Sequence, residues 1–375
     1  MKPRYHRILP AIIGAAVLGA ATAYAADDMA AVLARFGIQE RATPVRQDPL
    51  WRKPRKVLLL DYGLHHNGAD RLRAAAGDAN VVTVNDTRTA ITAAVDADVI
   101  IGANPEICDA RIINAAKQLR WLASLSAGVE NCMNLPAETR ASFMMTNMRG
   151  VDSPIVAEHA IALMLALAHG LDRFAVDNSQ GAWSRGGRVP VLFLEGKTML
   201  VSGLGAIGTE VAKRAHGLGM KVVATRVGGT GKPDFVDYIG QPDELLTLAR
   251  TADVVVSAVP LTTETTHLYN KAFFAVLKPS AFFINIARGG SVDTDALMVA
   301  LNEGRLGGAG LDVTEPEPLP AGHPLWKSPR VLITPHIAGR SDFPDDARWS
   351  IAAENLRRYV AGEKILNIVD LARGF

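Results

Sequence analysis

Residues 201–225, VSGLGAIGTEVAKRAHGLGMKVVAT, constrain the fold more than any other part of this chain. They join a short apolar strand to a glycine-rich turn, a helix and a second strand. Gly203, Gly205 and Gly208 have the G-x-G-x-x-G spacing. In a dinucleotide site each position has a physical task. The first glycine makes the tight turn, the second lets backbone approach a pyrophosphate, and the third lets the helix pack closely on the strand. The anion then rests on the unpaired N–H groups of the first helical turn. With residues 198–202 read as strand, 209–218 as helix and 220–225 as the next strand, the glycines have the context that such a site requires. Ala206 and Ile207, between the second and third glycines, belong to the same expected cradle.

The chain has 375 residues, of which 49% are apolar and 21% charged, enough for two separate cores. Lys2, Arg4 and Arg7 precede an apolar run at 8–21, and Ala23, Tyr24 and Ala25 form an A-x-A cleavage pattern. Residues 1–25 are therefore expected to be a secretory signal peptide. An uncleaved anchor is the competing expectation, but the run is short for a bilayer span and contains Pro10. Removing residues 1–25 takes away three bases and no acid, which turns a formal charge of +2 into −1. Nothing in that balance points to nucleic acid as a partner. Cys108 and Cys132 could pair in an oxidising compartment; we expect two buried free cysteines instead.

Residues 26–55 read as a helix at 29–36 followed by a basic, proline-containing tether with no visible chemistry. From Lys56 onward, short apolar runs at 57–60, 81–84, 99–101, 121–125 and 143–146 alternate with helical patterns. Such strands form a parallel sheet covered on both faces. A long helix follows, with Ser153 as its expected cap and Pro154 in the first helical position. Its run at 155–168 is apolar nearly all round, which demands burial between domains or subunits. Residues 171–191 lead into the glycine stretch. Beyond it, strands at 254–258, 281–286, 308–313 and 331–334 alternate with helices at 243–250, 271–276 and 294–303, and a last helix is expected at 345–361. The pattern predicts an α/β chain of two doubly wound parallel-sheet domains. A flavodoxin-like substrate domain spans 56–147 and is completed by 337–375; a Rossmann dinucleotide-binding domain spans 148–336.

In open parallel sheets ligands bind beyond the carboxyl ends of the strands. Three residues of the second domain stand there: Arg288, Glu317 and His336. An arginine clamps a carboxylate with two parallel hydrogen bonds. A histidine passes a proton near neutral pH, and a carboxylate beside it orients the ring. Together they suit a carbonyl that is held, reduced and protonated next to a nicotinamide. An arginine after a strand is more often a surface ion pair, and Glu315 competes with Glu317 for the same role. His65, His66, His169 and His323 lack ligand spacing with acidic or cysteine partners, so no metal is expected.

Three strings carry a resemblance: Asn285-Ile286-Ala287-Arg288-Gly289-Gly290, Leu311-Asp312-Val313-Thr314-Glu315-Pro316-Glu317-Pro318, and Thr334-Pro335-His336-Ile337-Ala338-Gly339. With Leu194-Glu195-Gly196-Lys197, Pro260-Leu261-Thr262 followed by Thr266, and His323-Pro324-Leu325-Trp326, they closely resemble the D-isomer-specific 2-hydroxyacid dehydrogenases over about residues 56–370. The resemblance implies Arg288 as the substrate-binding arginine, His336 as the acid/base and Glu317 as its partner, since the family's glutamate falls five residues after the aspartate. It implies Asp312 near the nicotinamide amide, with Pro260, Thr266 and Ala287 along the cofactor. It also implies that the backbone of Ala127, Gly128 and Val129 meets the substrate carboxylate. The family's usual homodimer is expected through the helix at 155–168.

An NAD site commonly has an acidic residue about 20 positions past the first glycine, which bonds the ribose 2′-OH. Here the second strand ends in Ala224, Thr225 and Arg226. Arginine cannot accept a hydrogen bond but pairs well with a 2′-phosphate. NADP is therefore expected over NAD, with a small 2-oxo or D-2-hydroxy acid such as glyoxylate or hydroxypyruvate as substrate. The leader places the chain in the periplasm or outside the cell, whereas the cofactor points to the cytoplasm. The alternatives are an exported, non-catalytic nucleotide- or acid-binding protein on the same fold, and a corepressor-like interaction protein, against which export and the lack of a basic patch count.

Overall fold

The computed structural model describes residues 29–62, 68–103, 105–183, 191–229, 231–341 and 346–372. The expected signal peptide, His65, His66 and residues 184–190 before the glycine stretch lie outside the described residues. The described chain builds two parallel sheets. The first contains β1 (Lys56–Leu60), β2 (Asn80–Val84), β3 (Val99–Gly102), β4 (Trp121–Ser124) and β5 (Met144–Thr146) in the order β2-β1-β3-β4-β5. This is the flavodoxin-type order, with a switch point between β1 and β3. Apart from Lys56, every residue of β1, β3, β4 and β5 is buried, as strands covered by helices on both faces must be.

The second sheet contains β6 (Thr198–Ser202), β7 (Lys221–Thr225), β8 (Tyr238–Gly240), β9 (Val254–Ser257), β10 (Phe282–Asn285), β11 (Gly308–Leu311) and β12 (Val331–Ile333), in the order β12-β11-β10-β9-β6-β7-β8. Reading from β8, its first six strands follow the Rossmann order, with the switch point between β6 and β9. β8 was not anticipated: it has three residues at the sheet edge, only Gly240 is buried, and so short a strand shows no periodicity. The helix after the glycine turn runs Ala206–Gly217 and so starts three residues earlier than its apolar pattern.

The long helix is Ser153–Ala168, but Asp152 occupies the cap position and Ser153 is already helical, which corrects the expected cap. Asp152 makes no side-chain cap bond and instead ion-pairs Arg348 at 2.8 Å. Val156, Ala160, Leu163, Met164 and Leu167 of this helix join the core beneath β6, β9 and β10, while Ile161 and Leu165 remain half-buried. Gly310 permits this seat, because a Cβ there would come within 2.9 Å of the Leu163 Cβ. Among the described residues no single helix is long and apolar enough to cross a membrane.

Residues 29–55 form the expected helix, Met29–Phe36, but the rest is more than a tether. Val32, Phe36 and Val45 enter the first core, and Trp51 donates its indole N–H to the Tyr359 carbonyl at 2.9 Å. Arg52 pairs with the fully buried Asp98, which also accepts the Arg55 and Lys56 amides at 2.7 and 3.1 Å. The last helix, Asp346–Ala361, returns to this core, where Tyr359 stacks on Trp121 with ring centroids 4.6 Å apart. The cysteines among the described residues are paired rather than free as expected. Cys108 and Cys132 are joined in a disulfide, with Cα atoms 4.9 Å apart. Their separation of 24 residues hid the pairing, because β4 carries the chain from one to the other.

Candidate active site

The glycine turn is held from two sides. Gly203 has φ +96°, and a Cβ there would stand 2.7 Å from the Ala258 carbonyl; a Cβ on Gly208 would run into the Gly203 carbonyl. Both positions therefore need glycine for the protein's own packing. Gly205 differs: nothing lies within 4 Å of a Cβ built on it, so that face of the turn is open. The helix's first internal bond runs from the Thr209 amide to the Gly205 carbonyl at 2.9 Å, which puts the amides of Ala206, Ile207 and Gly208 in the unpaired first turn. An open face beside such a turn fits the pyrophosphate of a dinucleotide.

At the end of β7 the buried Thr225 accepts the Gly203 and Leu204 amides on its carbonyl at 3.2 and 2.9 Å, which ties β7 to the turn. Arg226 follows it. One guanidinium nitrogen donates to the Gly231 carbonyl at 2.8 Å, and its Nε is buried with no hydrogen-bond partner among the described residues. After β9, Pro260 accepts the Thr265 hydroxyl at 2.6 Å and Thr266 donates its hydroxyl to the Thr262 carbonyl at 2.7 Å, so the loop is pinned by its own threonines.

The loops after β10, β11 and β12 meet one another at the carboxyl edge of the same sheet. Arg288 leaves β10 through the buried Ala287, and its carbonyl is held by the Asn285 side-chain amide at 3.0 Å and the Ser291 hydroxyl at 2.7 Å. Gly289 cannot carry a side chain, since a Cβ would run into the Thr314 carbonyl. The His336 ring Nδ1 is 2.6 Å from Glu317 Oε1, and both side chains are partly exposed. Glu315 lies 3.2 Å from His267 instead, so of the two competing glutamates it is Glu317 that reaches His336.

His336 has φ +54°, a left-handed conformation that a non-glycine residue adopts only when its surroundings hold it. Asp312 does so. Its carbonyl accepts the His336 amide at 2.8 Å. One carboxylate oxygen takes the Thr334 hydroxyl and the Ile337 amide at 2.6 and 2.9 Å, and the other takes the Ala338 amide at 3.0 Å. His159, from the long helix, completes the group by bonding the Thr334 hydroxyl at 2.9 Å. Asp312, expected beside the nicotinamide, is thus 2% exposed and uses its carboxylate to shape the loop that carries His336.

The loop after β4 closes the other side. Ala127 accepts the Asn147 side-chain amide on its carbonyl at 2.7 Å, and Val129 is buried. A Cβ on Gly128 would run into the Arg288 guanidinium, so this loop and Arg288 face each other directly. Arg288 pairs there with Glu130 at 2.8 Å, a contact that no local spacing could have revealed. Of the other histidines, His323 accepts the Leu325 amide and caps a short 3-10 turn, and His169 is exposed. Among the described residues no group of three or more histidine, cysteine or acidic residues could hold a metal ion.

An open glycine turn and a carboxylate-held histidine at the carboxyl edge of one parallel sheet fit a nicotinamide-dependent oxidoreductase. Residues 161–338 match the family model for the NAD-binding domain of the D-isomer specific 2-hydroxyacid dehydrogenases. The chain is 33% identical over 282 residues to the glyoxylate reductase of Thermococcus litoralis, a match covering 73% of this chain and 84% of that one. It is 31% identical to the D-3-phosphoglycerate dehydrogenase of Methanocaldococcus jannaschii over 82% of this chain and 58% of that longer one. Among solved structures, the NADPH-dependent glyoxylate/hydroxypyruvate reductase of Sinorhizobium meliloti, in complex with NADP and malonate, superposes with a TM-score of 0.69 at 26% identity, covering 86% of this chain and 98% of that one. The chain belongs to the D-isomer-specific 2-hydroxyacid dehydrogenase family, whose members depend on NAD(P).

Proposed function

We propose that the protein reduces a small 2-oxo acid such as glyoxylate or hydroxypyruvate to the D-2-hydroxy acid, with NADPH as the preferred cofactor. The observation that carries this reading is the 2.6 Å contact between His336 Nδ1 and Glu317, in the cleft that Arg288 shares with the loop after β4. When bound, a nicotinamide would supply the hydride for C2. Arg288 and the backbone of Ala127, Gly128 and Val129 hold the carboxylate. With Nδ1 occupied by Glu317, the other ring nitrogen of His336 is left to deliver a proton to the forming alkoxide. The T. litoralis and S. meliloti relatives support the choice of substrate class. An exported protein that only binds an acid or a nucleotide would lack turnover, so NADPH oxidation with glyoxylate or hydroxypyruvate separates the two readings. His336→Asn is expected to lower kcat by about 100-fold to 10,000-fold; turnover within about threefold of wild type would remove His336 as the proton donor.

One observation supports NADPH: the segment that follows β7, residues 226–229, begins with Arg226 and carries no acidic residue. Arg226→Asp removes the phosphate partner and adds repulsion toward it. It is expected to cut kcat/KM for NADPH by about 10-fold to 100-fold and to leave or improve NADH use. An unchanged ratio of the two kcat/KM values would show that Arg226 does not read the 2′-position.

We also propose a homodimer built on the long helix. Ile161 and Leu165 are half-buried, and Leu171 and Val176 of the next helix, Leu171–Ser179, are more than half exposed. A second copy would cover these residues together. Light scattering at micromolar concentration is expected to give twice the chain mass; a monomer would refute it.

Export is the proposed destination, supported by the leader sequence and by the Cys108–Cys132 disulfide, a bond that persists in oxidising compartments. Mass spectrometry of the protein from its native cells is expected to find a chain starting at Ala26. A chain that keeps residues 1–25 in the cytosolic fraction would overturn this.

A further inference from the structure

The Arg288–Glu130 ion pair spans the cleft. Glu130 opens the short helix Glu130–Met133 just after the β4 loop, and Arg288 leaves β10 of the other sheet. The pair therefore lies where the substrate's carboxylate has to arrive, against Gly128 and on the same guanidinium. We propose that Glu130 is an internal competitor for the substrate carboxylate. It pairs with Arg288 when no substrate is bound, must release it when a 2-oxo acid binds, and so sets the affinity for that acid. The inference rests on the proposed 2-oxo acid reductase function.

Three features distinguish a competitor from a structural brace. A brace is buried and multiply bonded, as Asp98 is with Arg52 and two backbone amides. The Glu130 and Arg288 side chains are instead 39% and 30% exposed, so water can solvate the carboxylate once it lets go. Second, the turn holding Arg288 is secured elsewhere, through the bonds of Asn285 and Ser291 to its carbonyl and through its own bond from Nη1 to the Ala287 carbonyl at 2.6 Å. Arg288 thus does not need Glu130 to keep its place. Third, a partly exposed pair contributes little, whereas a substrate carboxylate can take two parallel hydrogen bonds from the same guanidinium. The exchange favours substrate, but its affinity is lowered by the pair it breaks and by the negative charge left nearby.

The test uses oxamate, an unreactive 2-oxo acid analogue, titrated calorimetrically into the full protein saturated with NADPH. Glu130→Gln keeps the shape and removes the charge, and Glu130→Ala removes the contact altogether. Both are expected to bind oxamate about threefold to tenfold more tightly than wild type, and KM for glyoxylate is expected to fall in parallel. Unchanged or weaker oxamate binding in both variants, or no oxamate binding to any of the three proteins, would overturn the proposal. Wild type that binds oxamate but turns over no 2-oxo acid would overturn the assigned reaction while leaving the comparison of variants to decide on Glu130.

Discussion

In a parallel sheet every strand ends on the same edge, and this constraint organises the whole cleft. The turn at Gly203, the end of β7 at Thr225, and the loops carrying Pro260, Arg288, Asp312 and His336 all leave the seven-stranded sheet at its carboxyl edge. The loop at Ala127 leaves the other sheet in the same way. Residues distant in the chain are brought together because the crossover helices return each strand to the same starting edge.

Two buried carboxylates show how the scaffold holds its loops in place. Asp98 ties the amino-terminal extension to the start of β1 through Arg52 and two backbone amides. Asp312 does the corresponding work at the cleft, where three donors and its own carbonyl impose the left-handed conformation on His336. Such charges are tolerated inside because their oxygens are satisfied by fixed donors. The pairs that face the cleft, Glu317 with His336 and Glu130 with Arg288, stay partly exposed. Rigid support therefore sits beneath groups that water can reach.

Much of this was legible in the chain itself. Buried strands are short apolar runs, and eleven of the twelve strands coincide with such runs; β8, a three-residue edge strand, does not. The glycine spacing announced a turn whose first and third positions cannot carry a Cβ, and the open space at Gly205 agrees with its expected task. Asp312, by contrast, was legible as a residue beside the cleft but not as the anchor of residues 334–338, because its donors come from another strand's loop. The extension read as a tether because its anchors, Asp98 and Tyr359, belong to distant segments.

The sequence by itself determined which side chains stand at strand ends, since alternation, glycine spacing and turn chemistry are local properties of the backbone. It determined the family as well, through motifs that are contiguous in the chain. Only the tertiary structure decided which of those side chains meet. Cys108 finds Cys132, and Glu130 reaches across to Arg288. Each of these depends on how separate loops converge in space, and a hydrogen bond or ion pair is lost over a displacement of about an ångström, a precision that spacing along a chain does not encode.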